Sequence, residues 1–202
     1  LTPFDVYRRS ITNVLYSKRS PFQEICIAEA GAYGKALILD GQLQSASADE
    51  FLYHEALVHP AMIQAGAPRS VLILGGGEGA SAREVLRWRS VRRVTMVEID
   101  GEVVEACREH LPEMHQGAFD DQRLEVVIND ALDFLKHTDQ VWDIIISDLP
   151  DPAERAPWQP LFSRECFKTA HDRLSGGGCF VMQAGPVSPV CTSPLSQITR
   201  DV

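Results

Sequence analysis

The rhythm of apolar and polar positions changes near residue 70. Upstream, Gln23-Glu24-Ile25-Cys26-Ile27-Ala28-Glu29-Ala30 alternates loosely, as a half-buried strand does. Gly31-Ala32-Tyr33-Gly34 reads as a turn and Lys35-Ala36-Leu37-Ile38-Leu39 as a second strand. Asp40-Gly41 then supplies a hairpin turn into a third short strand, Gln42-Leu43-Gln44-Ser45. A meander this small needs a partner surface or another subunit. Residues 49–65, carrying Leu52, Ala56 and His59-Pro60, read as a helix. Beyond Ser70, apolar runs at 71–74, 94–98, 124–128, 142–147 and 178–183 predict strands, with helices near 79–88, 101–111, 130–136 and 161–174 between them. This alternation calls for an α/β layer, a parallel sheet with helices on both faces. The expected division is a small β-hairpin/meander domain over residues 1–55 and an α/β domain over 56–202.

The strand at 71–74 runs into Gly75-Gly76-Gly77-Glu78-Gly79, and the next one ends in Val97-Glu98-Ile99-Asp100. Glycines let a chain turn tightly and pass close to a ligand, and an acid about 20 residues further on is placed to accept from ribose hydroxyls. Glu78 is unusual, because an acid in such a turn repels the pyrophosphate that these loops normally hold. The loop therefore suits a nucleoside with a cationic tail, although Glu78 also fits a solvated first-turn acid that favours the helix dipole. Nothing in the turn itself separates a nicotinamide cofactor from an S-adenosyl compound. Glu78, Glu98, Asp130 and Asp148 each fall at or just beyond a strand end, where ligands of parallel sheets bind, so they are expected to converge on one pocket.

Composition narrows the classes. The 202 residues carry a formal charge of −9 and 45% hydrophobic positions, which supports a real core and disfavours nucleic acid or anionic membrane as partners. No 18-residue apolar run occurs and the first residues form no signal peptide. Cys26, Cys107, Cys166, Cys179 and Cys191 are widely spaced with no CxxC pair, which reads as reduced cysteines in a cytoplasmic protein, with no metal site. Arg87, Arg89, Arg92 and Arg93 read as a solvated helix terminus.

Seven motifs in order resemble those of the polyamine aminopropyltransferases, the spermidine and spermine synthase family. They are Phe22-Gln23, Leu39-Asp40-Gly41-x-x-Gln44, Asp49-Glu50-x-x-Tyr53-His54-Glu55, Gly75 to Gly79, Val97-Glu98-Ile99-Asp100, Asn129-Asp130-Ala131 and Asp148-x-x-Asp151-Pro152. The resemblance implies an N-terminal β domain that forms dimers or tetramers and supplies part of the active-site wall, followed by a Rossmann-like, methyltransferase-type domain. It implies transfer of an aminopropyl group from decarboxylated S-adenosylmethionine, a co-substrate, to a cationic polyamine, with release of methylthioadenosine and no cofactor.

Carried over residue by residue, the resemblance assigns the donor to Gln23, Gln44, His54, Gly75, Gly77, Glu78, Glu98, Ile99, Asp130 and Ala131. Within that set Glu98 holds the ribose hydroxyls, Asp130 accepts from the adenine amino group, and Glu78 with Gln44 binds the aminopropyl ammonium. Gln23 faces the nucleoside and sulfonium. Tyr53 and His54 line the junction of donor and acceptor, Asp148 orients and deprotonates the attacking amine, and Asp151 steadies the acceptor chain, so the implied catalytic set is Tyr53, Asp148 and Asp151. Most spermidine synthases carry Asp in the glycine motif and a Ser/Thr-rich catalytic loop. Here Glu78, the apolar Leu149-Pro150 and Gln183-Ala184-Gly185-Pro186 look more like the thermospermine synthase branch, which implies spermidine as acceptor. Putrescine as acceptor, an S-adenosylmethionine-dependent methyltransferase and a non-catalytic polyamine-binding homologue are the alternatives. Trp158 either caps the acceptor channel or fills a surface groove. The chain stops at Val202, before the further strands such a sheet usually carries, so an incomplete C-terminal part is expected.

Overall fold

A computed structural model describes residues 10–150 and 159–183. Four antiparallel strands come first, β1 (Asn13–Arg19), β2 (Glu24–Glu29), β3 (Lys35–Leu39) and β4 (Gln42–Ala46), paired in chain order. The predicted hairpin turn sits at Asp40-Gly41, both with positive φ (48° and 74°), the pairing that a two-residue turn between twisted strands requires. The strand β1 escapes the pattern reading. Its side chains are exposed or half-buried along its whole length, so no alternation marks it.

Helix α1 (Glu50–Ala65) runs without interruption across residues 55 and 56 and ends at Gly66, whose N–H reaches the Met62 and Ile63 carbonyls. The parallel sheet follows: β5 (Ser70–Gly75), α2 (Ala80–Leu86), β6 (Arg93–Glu98), α3 (Gly101–His110), α4 (Pro112–His115), β7 (Leu124–Ile128), α5 (Ala131–His137), β8 (Trp142–Asp148), α6 (Arg164–Asp172) and β9 (Leu174–Met182). Its order is β7-β6-β5-β8-β9, so the chain reverses direction of winding between β5 and β8. That switch point opens a crevice at the carboxyl ends of the strands.

Two predicted bounds change. The helix expected over 161–174 is a 3-10 turn at Gln159–Phe162 followed by α6, which Ser163 caps by accepting from the Cys166 N–H at 3.2 Å. The last strand starts at Leu174 rather than 178, because the glycines at 176–178 form an irregularity that β8 still pairs across.

Alternation along β5 explains the layering. Val71 and Ile73 face α1 and α2, with Leu57, Val58, Met62, Ala82 and Val85, while Leu72 and Leu74 face α5 and α6, with Leu135, Cys166 and Ala170. Trp142 is fully buried in the second layer. The N-terminal sheet does not stand alone. Ile25, Ile27, Leu37 and Leu39 pack on Val103, Cys107, Leu111 and Met114 of the α3–α4 region, which brings that sheet over one side of the crevice. Cys26, Cys107, Cys166 and Cys179 are free thiols. Among the described residues no helix is long and apolar enough to cross a membrane.

Candidate active site

The crevice holds a cavity of about 760 Å³ at the strand ends. Phe22, Gln23, Leu39 and Gln44 wall it from the N-terminal sheet, and Tyr53 and His54 from α1. Gly75, Gly76, Gly77 and Glu78 come from the turn after β5, and Glu98 and Ile99 from the end of β6. Asp130 and Ala131 start α5, Asp148 closes β8, and Leu149, Pro150, Leu161 and Gln183 complete the lining. All the acids expected to converge do so, and so do the other described candidates. Asp151 and Trp158 lie outside the described residues.

Glycine chemistry shapes the floor. Gly75, Gly76 and Gly79 have φ of 83°, 75° and 81°, values that L side chains rarely adopt. A Cβ on Gly75 would sit 2.2 Å from the Asp148 carbonyl oxygen, and one on Gly77 would meet Glu98 Oε2 at 3.0 Å. Gly75→Ala is therefore expected to destabilise the protein by more than ~1 kcal/mol and to displace Asp148, read as a lower urea midpoint.

Asp148 is pinned through both oxygens. Tyr53 donates to Oδ1 at 2.8 Å and Ser81, fully buried on α2, donates to Oδ2 at 2.6 Å. Burial pushes its carboxyl up from the ordinary range, while His54, 4.0 Å from Oδ2, works against that rise. His54 is 1% exposed and lies between carboxylates, with Nδ1 2.7 Å from Glu50 Oε2 and Nε2 3.1 Å from Glu78 Oε1. Desolvation drives Glu98 up to about 7, despite backbone N–H groups of Asp100, Ile99 and Gly77 that oppose the shift.

Other candidates carry local duties as well. Asp130 caps α5, its Oδ1 accepting from the Asp133 N–H at 2.8 Å. Gln44 donates to the Gln42 carbonyl at 3.2 Å. Gln23 donates its amide to Asp100 Oδ2 at 3.0 Å, where Ser20 Oγ also donates at 2.6 Å. Asp100, 1% exposed, thereby ties the loop before β2 to the start of α3. Sequence reasoning missed Ser81 and the clamping role of Asp100. A short hydroxyl in the first turn of a helix and an acid two residues past Glu98 give no signal until the strands are in register.

A model of the spermine/spermidine synthase domain matches residues 50–198, and one of the spermidine synthase tetramerisation domain matches residues 8–47. A polyamine aminopropyltransferase of Synechococcus sp. (strain JA-3-3Ab) is 62% identical, over 100% of this chain and 65% of its own length. One of Aeropyrum pernix is 51% identical over 93% of this chain and 60% of its own length. The chain thus spans less than two thirds of the curated relatives it matches. A crystal structure of spermidine synthase in complex with the transition state analogue AdoDATO superposes with a TM-score of 0.83 at 37% identity, covering 87% of this chain and 59% of that one. Spermidine synthase from Thermotoga maritima gives 0.80 at 36% identity, over 87% and 58% of the two chains.

Proposed function

The chain belongs to the spermine/spermidine synthase family, and from that premise we propose that it moves the aminopropyl group of decarboxylated S-adenosylmethionine to a polyamine. The observation that carries the reading is an acid in the glycine turn, Glu78, on the same cavity as Asp148, Glu98 and Asp130. A dication with a ribose fits such a lining, and an α-carboxylate does not.

In the proposed reaction the lone pair of the acceptor nitrogen attacks the methylene carbon bonded to the sulfonium. A C–N bond forms, the C–S electron pair returns to sulfur, and neutral methylthioadenosine leaves. The nitrogen lone pair is freed beforehand, when the acceptor's ammonium gives up a proton to Asp148, which passes it to solvent; the product nitrogen stays a secondary ammonium. The sulfonium is already an activated leaving group, so alignment and loss of the amine's proton are what the protein must supply. Asp148 holds the attack line with Tyr53. Gln23, Gln44 and Glu78 bind the donor's sulfonium and ammonium end, Glu98 its ribose and Asp130 its adenine, with Gly75, Gly77, Ile99 and Ala131 shaping the walls. Asp151 steadies the acceptor. Residues 1–55 would form the unit through which dimers or tetramers assemble, and 56–202 the catalytic unit. That the tetramerisation model spans 8–47 supports assembly through the first sheet.

Spermidine is the proposed acceptor. Leu149, Pro150 and Leu161 give that end of the cavity an apolar wall, which suits the methylenes of a longer polyamine. Offering putrescine, spermidine and spermine separately, with the product identified by mass and chromatography, tests this: a linear tetraamine from spermidine is expected. A product from putrescine alone would overturn the acceptor assignment and leave the transfer reading standing.

Ribose hydroxyls donating to Glu98 favour its ionised form, so nucleoside binding should expel a proton. The sign follows from the raised value: below about 7 the empty site holds the proton and must lose it to bind. Methylthioadenosine affinity is accordingly expected to weaken about tenfold from pH 8 to pH 6, measured by calorimetry in two buffers of different ionisation heat. A pH-independent affinity would remove Glu98 from the ribose site.

A further inference from the structure

Behind the cavity wall lies a chain of buried charges that donor and acceptor binding do not account for. His54 meets Glu50, Glu50 is held through both carboxylate oxygens by Arg83 (2.7 and 3.0 Å), and Arg83 Nε donates to Glu84 at 2.8 Å. Arg83 also donates to the Met114 carbonyl. Glu50 and Arg83 are 6% and 7% exposed, and Glu84 is 1% exposed. Buried ions of this kind persist only when each is paired.

We propose that Glu50, held by Arg83, is a positioning residue that keeps the His54 ring a cation wedged between Glu78 and Asp148. The geometry requires a proton on each nitrogen. Nδ1 faces two acceptors, the Glu50 carboxylate at 2.7 Å and the Glu50 carbonyl at 2.8 Å, so it must donate. In a neutral ring the other nitrogen would then turn a lone pair toward the Glu78 carboxylate 3.1 Å away. Glu78 Oε1 is buried without a hydrogen-bond partner among the described residues, so the 3.1 Å approach is a charge contact that only the imidazolium makes favourable.

The groups facing His54 agree on the sign. Glu50 comes from its own helix, Glu78 from the glycine turn and Asp148 from the end of β8, while the Tyr53 ring stands edge-on at 4.9 Å. The nearest cation, Arg83 on α2, stands behind Glu50 and is matched by it. Burial opposes a charge here, yet the carboxylates of Glu50 and Glu78, which accept from and attract the ring, push His54 up to about 10. Glu50 itself is held below its usual range, against burial, by His54 and Arg83.

The consequence for catalysis rests on the aminopropyl-transfer reading. A fixed cation 4.0 Å from Asp148 favours the ionised form of a carboxylate that burial and the neighbouring Glu78 push the other way. It also disfavours the protonated form of an amine brought beside it, which is the form that cannot attack. Further along, Glu84 pairs with Arg87 at 2.8 Å and with His59 at 3.1 Å. Glu55, His59 and Glu84 bring donor atoms within 4.8 Å of one another, but Glu84 is already shared by two arginines, so this end of the chain closes on ion pairs.

Proton-detected NMR of the histidine rings tests the proposal on the ligand-free protein, with the spectrum of His54→Gln identifying the signal. His54 is expected to remain an imidazolium from pH 6 to pH 9 in the wild type. In Glu50→Gln its midpoint should fall from about 10 toward the ordinary 6.5, and Glu50→Asp should restore part of the shift. A wild-type His54 that titrates near 6.5 overturns the proposal even if every variant fails to fold. An unchanged midpoint in folded Glu50→Gln overturns it as well. In turnover, the ratio of wild-type to Glu50→Gln rate should grow as pH rises from 6 to 9. A flat ratio would dismiss the catalytic consequence, while loss of the transfer reading itself would leave the NMR result untouched.

Discussion

Asp148→Asn is expected to lower methylthioadenosine formation about 10²–10⁴-fold, the range that a positioned proton acceptor contributes. The amine of a polyamine, with a solution pKa near 10, is protonated at neutral pH and not nucleophilic until it sheds that proton. In the proposed reaction that proton goes to Asp148, which stands at the carboxyl end of β8 and on the cavity wall. Asparagine keeps the size and one acceptor, so Tyr53 or Ser81 still has a partner and the fold should survive. Donor affinity should change little, because Glu78, Glu98 and Asp130 stand on other elements. The split is the informative part: a large fall in kcat with a nearly constant donor Kd by calorimetry. A rate within a few-fold of wild type would remove Asp148 from the proton's path.

Glu78→Gln should act on donor choice. A carboxylate about 4 Å from another at an effective dielectric near 20 costs roughly 4 kcal/mol, or about three decades in affinity. His54, 3.1 Å from Glu78 Oε1, offsets part of that charge, so the expected loss of discrimination is about 10²–10³-fold. Calorimetry with decarboxylated and intact S-adenosylmethionine reads the ratio directly. A ratio unchanged by the substitution would mean that another feature excludes the α-carboxylate.

The parts of this molecule that local chemistry dictates could be read before any coordinates. Asp40-Gly41 can do little but turn, Gly75 and Gly76 take the chain out of β5 at positive φ, and apolar runs separated by helical patterns leave acids at strand ends. From those facts the cavity and its four carboxylates follow. The parts that depend on tertiary register stayed hidden. β1 hides because it buries little on either face. Ser81 becomes meaningful only when α2 is set against Asp148, and because all seven residues of α2 are buried, its Arg83 and Glu84 do not mark a solvent face as such charges usually do. The Glu50–Arg83 pair joins positions 33 apart in the chain across two helices. Each of these residues reads as an ordinary helical charge until α1 and α2 are packed together.

The most direct test places both donors in one reaction. The protein would be incubated with equal amounts of decarboxylated and intact S-adenosylmethionine plus spermidine, and both nucleoside products and the polyamine would be quantified by mass. The account predicts methylthioadenosine and a tetraamine in equal amounts with no S-adenosylhomocysteine. S-adenosylhomocysteine with a methylated polyamine, and no aminopropyl transfer, would contradict it.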